Sequence, residues 1–173
     1  MVLKLKYRKT TVEDLTNVML IYENARRFMV VNGNPDQWIN GYPAVEHIKA
    51  DIDRGVSYVG VTQSGEIAVV FSFILGDDPT YAVIEGEWLN SEPYGTIHRI
   101  ASAGIMRNVG DDVIEFCASM INNLRADTHY NNHVMQQLLL RNGFSHCGTI
   151  YLLDGRPRLA YHREKVKFQH QND

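Results

Sequence analysis

The sequence predicts an α/β domain, a sheet carrying helices on its faces, and three observations lead there. Apolar residues alternate with period two in some segments and recur at helical spacing in others. The two kinds of segment are interleaved along the chain, in the order β, α, α, β, β, insertion, β, α, β, α, β, β. A strand followed by a crossover helix and another strand also calls for a parallel pair inside an otherwise mixed sheet.

The first element is a strand, because Leu3, Leu5 and Tyr7 alternate with Lys4, Lys6 and Arg8. Thr11 and Asp14 have the spacing of a capping box, and Leu15, Val18, Met19, Tyr22, Ala25 and Met29 then repeat at helical intervals up to Gly33. After the loop NPDQWINGYP, Val45, Ile48 and Ile52 mark a shorter helix that Gly55 can stop. Tyr58 to Thr62 and Ile67 to Leu75 are β-rich and flank Ser64-Gly65, so they form a hairpin.

Turn-forming residues dominate from Gly76 to Gly95, and this stretch reads as an insertion whose apolar run Tyr81 to Ile84 offers one short strand. A strand is expected over Thr96 to Ala103, then the loop MRNVG, then a helix presenting Val113, Ile114, Phe116, Cys117 and Met120. Leu124 to Thr128 is a short strand, and a helix from Asn131 to Asn142 ends at Gly143. Strands at Ser145 to Leu152 and Arg158 to His162 close the fold across Asp154-Gly155. Residues 3–162 are read as one domain and 163–173 as a polar tail.

Composition narrows the function. The 173 residues carry a net charge of −3 and a pI near 6.1, with no overall basic footprint for nucleic acid or an anionic membrane. The opening MVLKLKYRKT lacks the apolar core of a signal peptide, and no window reaches the ~18 apolar residues of a membrane span. A soluble, cytoplasmic protein is expected, with Cys117 and Cys147 as separate thiols. His129, His133 and Asp127 lack a convincing further ligand, so no metal is expected.

The strongest local feature is Arg107-Asn108-Val109-Gly110-Asp111-Asp112, between a strand and a helix. Main-chain N–H groups at such a turn converge on one anion with help from the helix dipole. Gly110 leaves room for close approach, and Arg107 adds a cation. The competing reading is that Asp111 or Asp112 caps the helix and takes the same N–H groups for itself.

Element order, the R-x-x-G loop, N-x-x-M (Asn132 to Met135) and Gly143-Phe144 together resemble the GNAT superfamily of acetyl-CoA-dependent N-acetyltransferases. ARRFM (25–29), NGNPDQW (32–38), GYP (41–43), HRIAS (98–102), RADTH (125–129) and DGRPR (154–158) are similar to a bacterial subfamily whose substrates are mostly unknown. The resemblance implies a mixed, mostly antiparallel central sheet with one parallel strand pair and helices on both faces. It also implies acetyl-CoA as co-substrate, gripped through its pyrophosphate by Arg107, Asn108, Val109, Gly110, Asp111 and Asp112. Ile100, Ala101 and Ser102 would hold the thioester and pantetheine through the main chain, and Asn132 and Met135 would belong to the second helix on the cofactor side.

Two positions depart from the family pattern. Asp112 stands where relatives have Gly or Ala, which predicts repulsion of the phosphates. Leu139 stands where many have a tyrosine that protonates the departing thiolate. The implied reaction is acetyl transfer to a primary amine of a small molecule or peptide by direct attack in a ternary complex, with His98 or Glu85 as the base. Trp38, Tyr42, Tyr81, Trp88 and Tyr94 are candidates for an aromatic acceptor wall, with Asp36, Glu85 and Glu87 drawing in a cation. The rival is a non-catalytic domain that binds acyl-CoA or a partner protein. A homodimer is compatible with either.

Overall fold

A computed structural model describes residues 4–164. It contains β1 (Lys6–Lys9), α1 (Leu15–Val31), α2 (Val45–Asp53), β2 (Ser57–Val61), β3 (Ile67–Leu75), β4 (Glu85–Gly86), β5 (Gly95–Ser102), α3 (Val109–Met120), β6 (Leu124–Thr128), α4 (His133–Arg141), β7 (Ser145–Tyr151) and β8 (Pro157–Arg163). The strands form one sheet in the order β1-β2-β3-β5-β6-β8-β7-β4. Every neighbouring pair is antiparallel except β5 and β6, which the crossover through α3 makes parallel.

The expected capping box is present: the Thr11 N–H donates to the Asp14 carboxylate at 2.9 Å. A single 3-10 turn over Val12–Asp14 then leads into α1. The expected insertion holds a strand at Glu85–Gly86, beyond the apolar run Tyr81 to Ile84. That strand pairs with β7 because two glycines allow it: a Cβ on Gly86 would collide with the Cys147 carbonyl, and one on Gly148 with the Glu85 carbonyl. Tyr81 itself turns inward and packs with Tyr94, Ile150 and Ala160.

α3 begins at Val109, four residues ahead of the apolar positions that announce it, because Asn108 takes the left-handed conformation (φ 60°) and starts the helix there. β8 runs on to Arg163, one residue into the expected tail, where Arg163 meets Glu115 at 3.0 Å. Leu3 and residues 165–173 of the tail lie outside the described residues.

Alternation along the strands sorts two cores onto opposite faces of the sheet. α3 and α4 cover Val69, Phe71, Ile97, Leu124 and Ala126. α1 and α2 cover Val59, Val70 and Ala101, with Trp38 wedged beside Tyr22. Among the described residues no helix is long and apolar enough to cross a membrane.

Candidate active site

The site starts from one extra residue in β5. Val70 pairs with Ala101 and Ser72 with His98, so Phe71 faces both Arg99 and Ile100. This is a β-bulge, which bends a strand and breaks its ladder. Arg99 sits at φ 52°, a conformation uncommon for a side chain of this size. Its guanidinium pins it there: Nε donates to the Tyr42 hydroxyl at 2.6 Å and Nη1 to Asp51 at 2.5 Å. Asp51 is itself buried and also accepts from the Ser72 hydroxyl at 2.6 Å.

The bulge follows the point where β5 and β6 part. Their ladder joins Gly95 to Leu124 and Thr96 to Arg125, and goes no further. Beyond it the edge of β5 that faces β6 carries main-chain N–H and C=O groups without a ladder partner. The opening is a cleft of about 1050 Å³ whose lining includes Ile100, Ala101, Ser102, Asn108, Val109, Gly110, Asn132 and Met135. These predicted cofactor residues therefore do come together.

The rest of the phosphate loop does not behave as its residue types suggest. Asp112 is 2% exposed and faces away from the cleft. Its carboxylate accepts from the Lys4 N–H at 3.0 Å, the Leu5 N–H at 3.2 Å and the Tyr7 hydroxyl at 3.0 Å. It ties the entry into β1 to α3, and the expected repulsion of phosphates is corrected accordingly. Asp111 also turns aside, accepting from Arg141 at 2.9 and 2.6 Å and from the Asn142 amide at 2.8 Å. Burial works to raise its pKa, but the Arg141 and Asn142 bonds win and hold it at about 2.

Asp112 spends its oxygens on β1 and not on the helix start, while the Asp111 carboxylate, besides Arg141 and Asn142, engages its own N–H as the competing reading expects. Val109, Gly110 and Asp111, in the first turn of α3, have no carbonyl of their own helix to donate to. Gly110 earns its place through packing, since a Cβ there would stand 2.7 Å from Leu138 on α4. Arg107 is exposed and does not line the cleft, so it is not part of the lining as predicted. At the second helix, the Asn132 side-chain oxygen Oδ1 caps α4 by accepting from the Met135 N–H at 3.0 Å.

His98 lies just past the parting of the strands and lines the cleft. Its Nε2 is 2.9 Å from Asp78 and its Nδ1 is 3.9 Å from Asp127 on β6. Burial would raise the Asp78 pKa, yet the bonds from His98 and Thr80 outweigh it and bring the group down to about 2. Asp127 also accepts from the Tyr81 hydroxyl at 2.7 Å, which fastens the insertion to the site. Glu85, the other candidate base, is exposed in β4 at the last position of the sheet and outside the cleft lining. It is withdrawn as a base on position alone.

The aromatic candidates divide. Trp38 and Tyr42 line the cleft. Trp88 and Tyr94 instead clasp the Arg125 guanidinium, at 4.2 and 3.9 Å from their ring centroids, and anchor the insertion to β6. Asp36 and Glu87 are exposed and outside the lining. His129 receives the Asn131 N–H at 3.1 Å and stacks on Tyr130, a local turn contact. Leu139 is fully buried against the sheet and has no proton to offer.

Four participants escape a reading of the sequence: Asp78, Asp51, Gln37 and Arg158. Gln37 Oε1 accepts from Asn132 at 2.8 Å and Thr128 at 3.3 Å, joining the loop after α1 to the start of α4. Its place within NGNPDQW is the one signal that marks it. Arg158 has the same kind of signal in DGRPR (154–158), whereas Asp51 and Asp78 meet the site through tertiary contacts that no spacing rule encodes.

An open mixed sheet whose parallel pair splits around a helix N-terminus defines the class of acyl-CoA-dependent acetyltransferases of the GNAT type. An acetyltransferase of the GNAT family from Streptococcus agalactiae is similar to the chain at 31% identity, covering 94% of this chain and 96% of that one with a TM-score of 0.85. A GNAT-family acetyltransferase from Listeria monocytogenes shares 19% identity over 93% and 95% of the two chains, with a TM-score of 0.71. The structure of AAC(6')-Ib in complex with ribostamycin and coenzyme A shares 16% identity over 98% of both chains, with a TM-score of 0.63. No family model and no curated protein sequence matches the chain. On the first of these likenesses the chain belongs to the GNAT family and is an acyltransferase.

Proposed function

We propose that the protein transfers the acetyl group of acetyl-CoA to a primary amine of a small molecule or peptide by direct attack, with residues 3–162 acting as a single catalytic domain. The observation that carries this reading is the split between β5 and β6, into which the first-turn amides of α3 open while both neighbouring acids are turned away.

The residues present fit the co-substrate. The N–H groups of Val109 and Gly110 would take its pyrophosphate, and the unpaired edge of β5 around Ile100, Ala101 and Ser102 its pantetheine arm. Acetyl-CoA supplies an activated acyl group. Main-chain donors on β5 would steady negative charge at the carbonyl oxygen, which side-chain substitution cannot remove. His98 takes the proton of the incoming ammonium, and Asp78 holds the imidazole in position. No acid is needed where Leu139 stands, because a thiol with a pKa near 8.5 leaves largely unassisted at neutral pH.

A two-part measurement tests this. Acetyl-CoA at about 100 times its Kd is expected to stabilise the native state by ~2.7 kcal/mol, read as a rise of roughly 5–10 °C in the melting midpoint. Amines are expected to release free thiol from acetyl-CoA in the presence of the protein. No shift and no thiol with a broad amine panel would sink the reading.

A further inference from the structure

The arginines of the cleft are not equivalent. Arg54 and Arg99 share Asp51, Arg141 is held by Asp111, and Arg156 by Asp154 at 2.8 Å. Arg158, on β8, is 4% exposed and also lines the cleft, yet among the described residues no carboxylate comes within ion-pair distance of it. Its donors reach two main-chain carbonyls, that of Pro157 at 2.9 Å and that of Gln37 at 3.2 Å. Those bonds orient the guanidinium without neutralising it, and Asp127 and Asp154 act on it only from beyond ion-pair distance. A buried cation without a counter-ion is costly unless something arrives to pair with it.

Position supplies the rest. Asp127 pairs with Ala160 across β6 and β8, so Arg158, two residues along β8, projects from the same face as Asp127. Thr96 pairs with Arg125, which places His98 on that face too. The diagonal spacing of such neighbours is about 7–8 Å, within reach of a long side chain. The titratable and charged groups that act on Arg158 are Asp127, Tyr42, His129 and the Arg156–Asp154 pair. The cleft is therefore acidic beside His98 and cationic one step away, with Phe28, Met29, Trp38 and Leu153 forming an apolar flank.

We propose that Arg158 is the seat for a carboxylate on the acceptor, which makes the acceptor a small amino acid with an apolar side chain, its amine at His98 and Asp127 and its acid group on Arg158. This rests on the acetyl-transfer reading above. Arg158 contributes specificity through binding, and the transfer step proceeds without it.

The experiment compares binding of N-acetyl amino acids with that of the corresponding N-acetyl amino amides by titration calorimetry, across a panel of α-, β- and γ-amino acids. At least one acid is expected to bind about tenfold or more tightly than its amide in the parent, and the ratio is expected to fall to near one in Arg158→Gln. Arg158→Lys, which keeps a charge but loses the fork, should retain an intermediate ratio and serves if the glutamine variant does not fold. A melting shift with acetyl-CoA certifies each variant as folded. No acid outbinding its amide in the parent, or an unchanged ratio in the variants, overturns the Arg158 assignment. Loss of the acetyl-CoA shift and of thiol release in the parent would overturn acetyl transfer instead, so the two failures are read separately.

Discussion

The two walls of the cleft work by different means. The wall built from the end of β5, Ile100 to Ser102, and the helix starts of α3 and α4 presents main chain, and its conspicuous side chains point elsewhere: Asp112 into the start of the chain, Asp111 onto Arg141, Gly110 against Leu138. The other wall presents side chains, with His98 on Asp78, Arg99 on Tyr42 and Asp51, and Arg158 on the Gln37 carbonyl. A wall of amides grips one constant ligand and tolerates substitution. Under the proposed reaction, a wall of charged side chains is where acceptors would be told apart.

The contrast is sharpest at His98. Replacing it by alanine is expected to lower kcat/KM by about 10²–10⁴ while leaving the acetyl-CoA melting shift intact, because in the proposed reaction it takes a proton and holds no part of the cofactor. A variant with parental turnover across pH 6–9 would take His98 out of the mechanism.

Asp112 tests the other wall. Asp112→Ala leaves two main-chain N–H groups and a tyrosine hydroxyl without their acceptor, at a cost of about 3 kcal/mol. That corresponds to a drop of roughly 6–12 °C in melting midpoint. Affinity for CoA should stay within about twofold, since the carboxylate does not face the cleft. Tighter CoA binding in the folded variant would show the acid to lie beside the phosphates after all.

Acid titration probes the side-chain wall without changing its chemistry. The Asp78 pKa is lowered from 3.8 to about 2 in the folded protein, so between those values the unfolded chain binds more protons than the native one. The resulting stabilisation, on the order of 2 kcal/mol, is fully present above pH 4 and lost as pH falls towards 2. The gap in stability between the parent and Asp78→Asn should therefore narrow over that window. A gap constant from pH 5 to pH 2.5 would contradict the His98–Asp78 pairing.

The smallest effect belongs to Asp111→Ala. Its ion pair with Arg141 joins two side chains that are 23% and 52% exposed, where such pairs are worth about 0–1 kcal/mol. Stability and CoA affinity should both remain close to parental. A tenfold change in affinity would mean that this acid, unlike Asp112, acts on the phosphate site.

Much of the main-chain wall was readable in advance because amide geometry follows from local signals. A strand, a turn and a helix start in succession mark Asn108 to Gly110 as an anion site, and the resemblance to the GNAT superfamily, carried by N-x-x-M and Gly143-Phe144 among others, adds Ile100 to Ser102, Asn132 and Met135. What the acids next to them do was not readable. Asp112 looks the same in sequence whether it faces a phosphate or the backbone of Leu5, 107 residues away.

The insertion shows the same divide. Its aromatic residues announce that it packs against something, yet only the fold separates Tyr81, which reaches Asp127 at 2.7 Å, from Trp88 and Tyr94, which clasp Arg125. Glu85 is a carboxylate in a loop-rich segment, as is Asp78. The pairing of β4 with β7 carries one to the sheet edge, and the 3-10 turn at Pro79–Tyr81 leaves the other within 2.9 Å of His98.

The sequence alone determined the alternation of strands and helices, the crossover that makes one parallel pair, and the helix start at which an anion is expected, because each of these depends on residues within a few positions of one another. Tertiary structure alone decided which acid meets which cation, since Asp51, Arg99 and Ser72, or His98, Asp78 and Asp127, become neighbours only when separate strands and loops are stacked. Local backbone preference is written in adjacent residues. Side-chain electrostatics is a property of distance through space, and folding sets that distance.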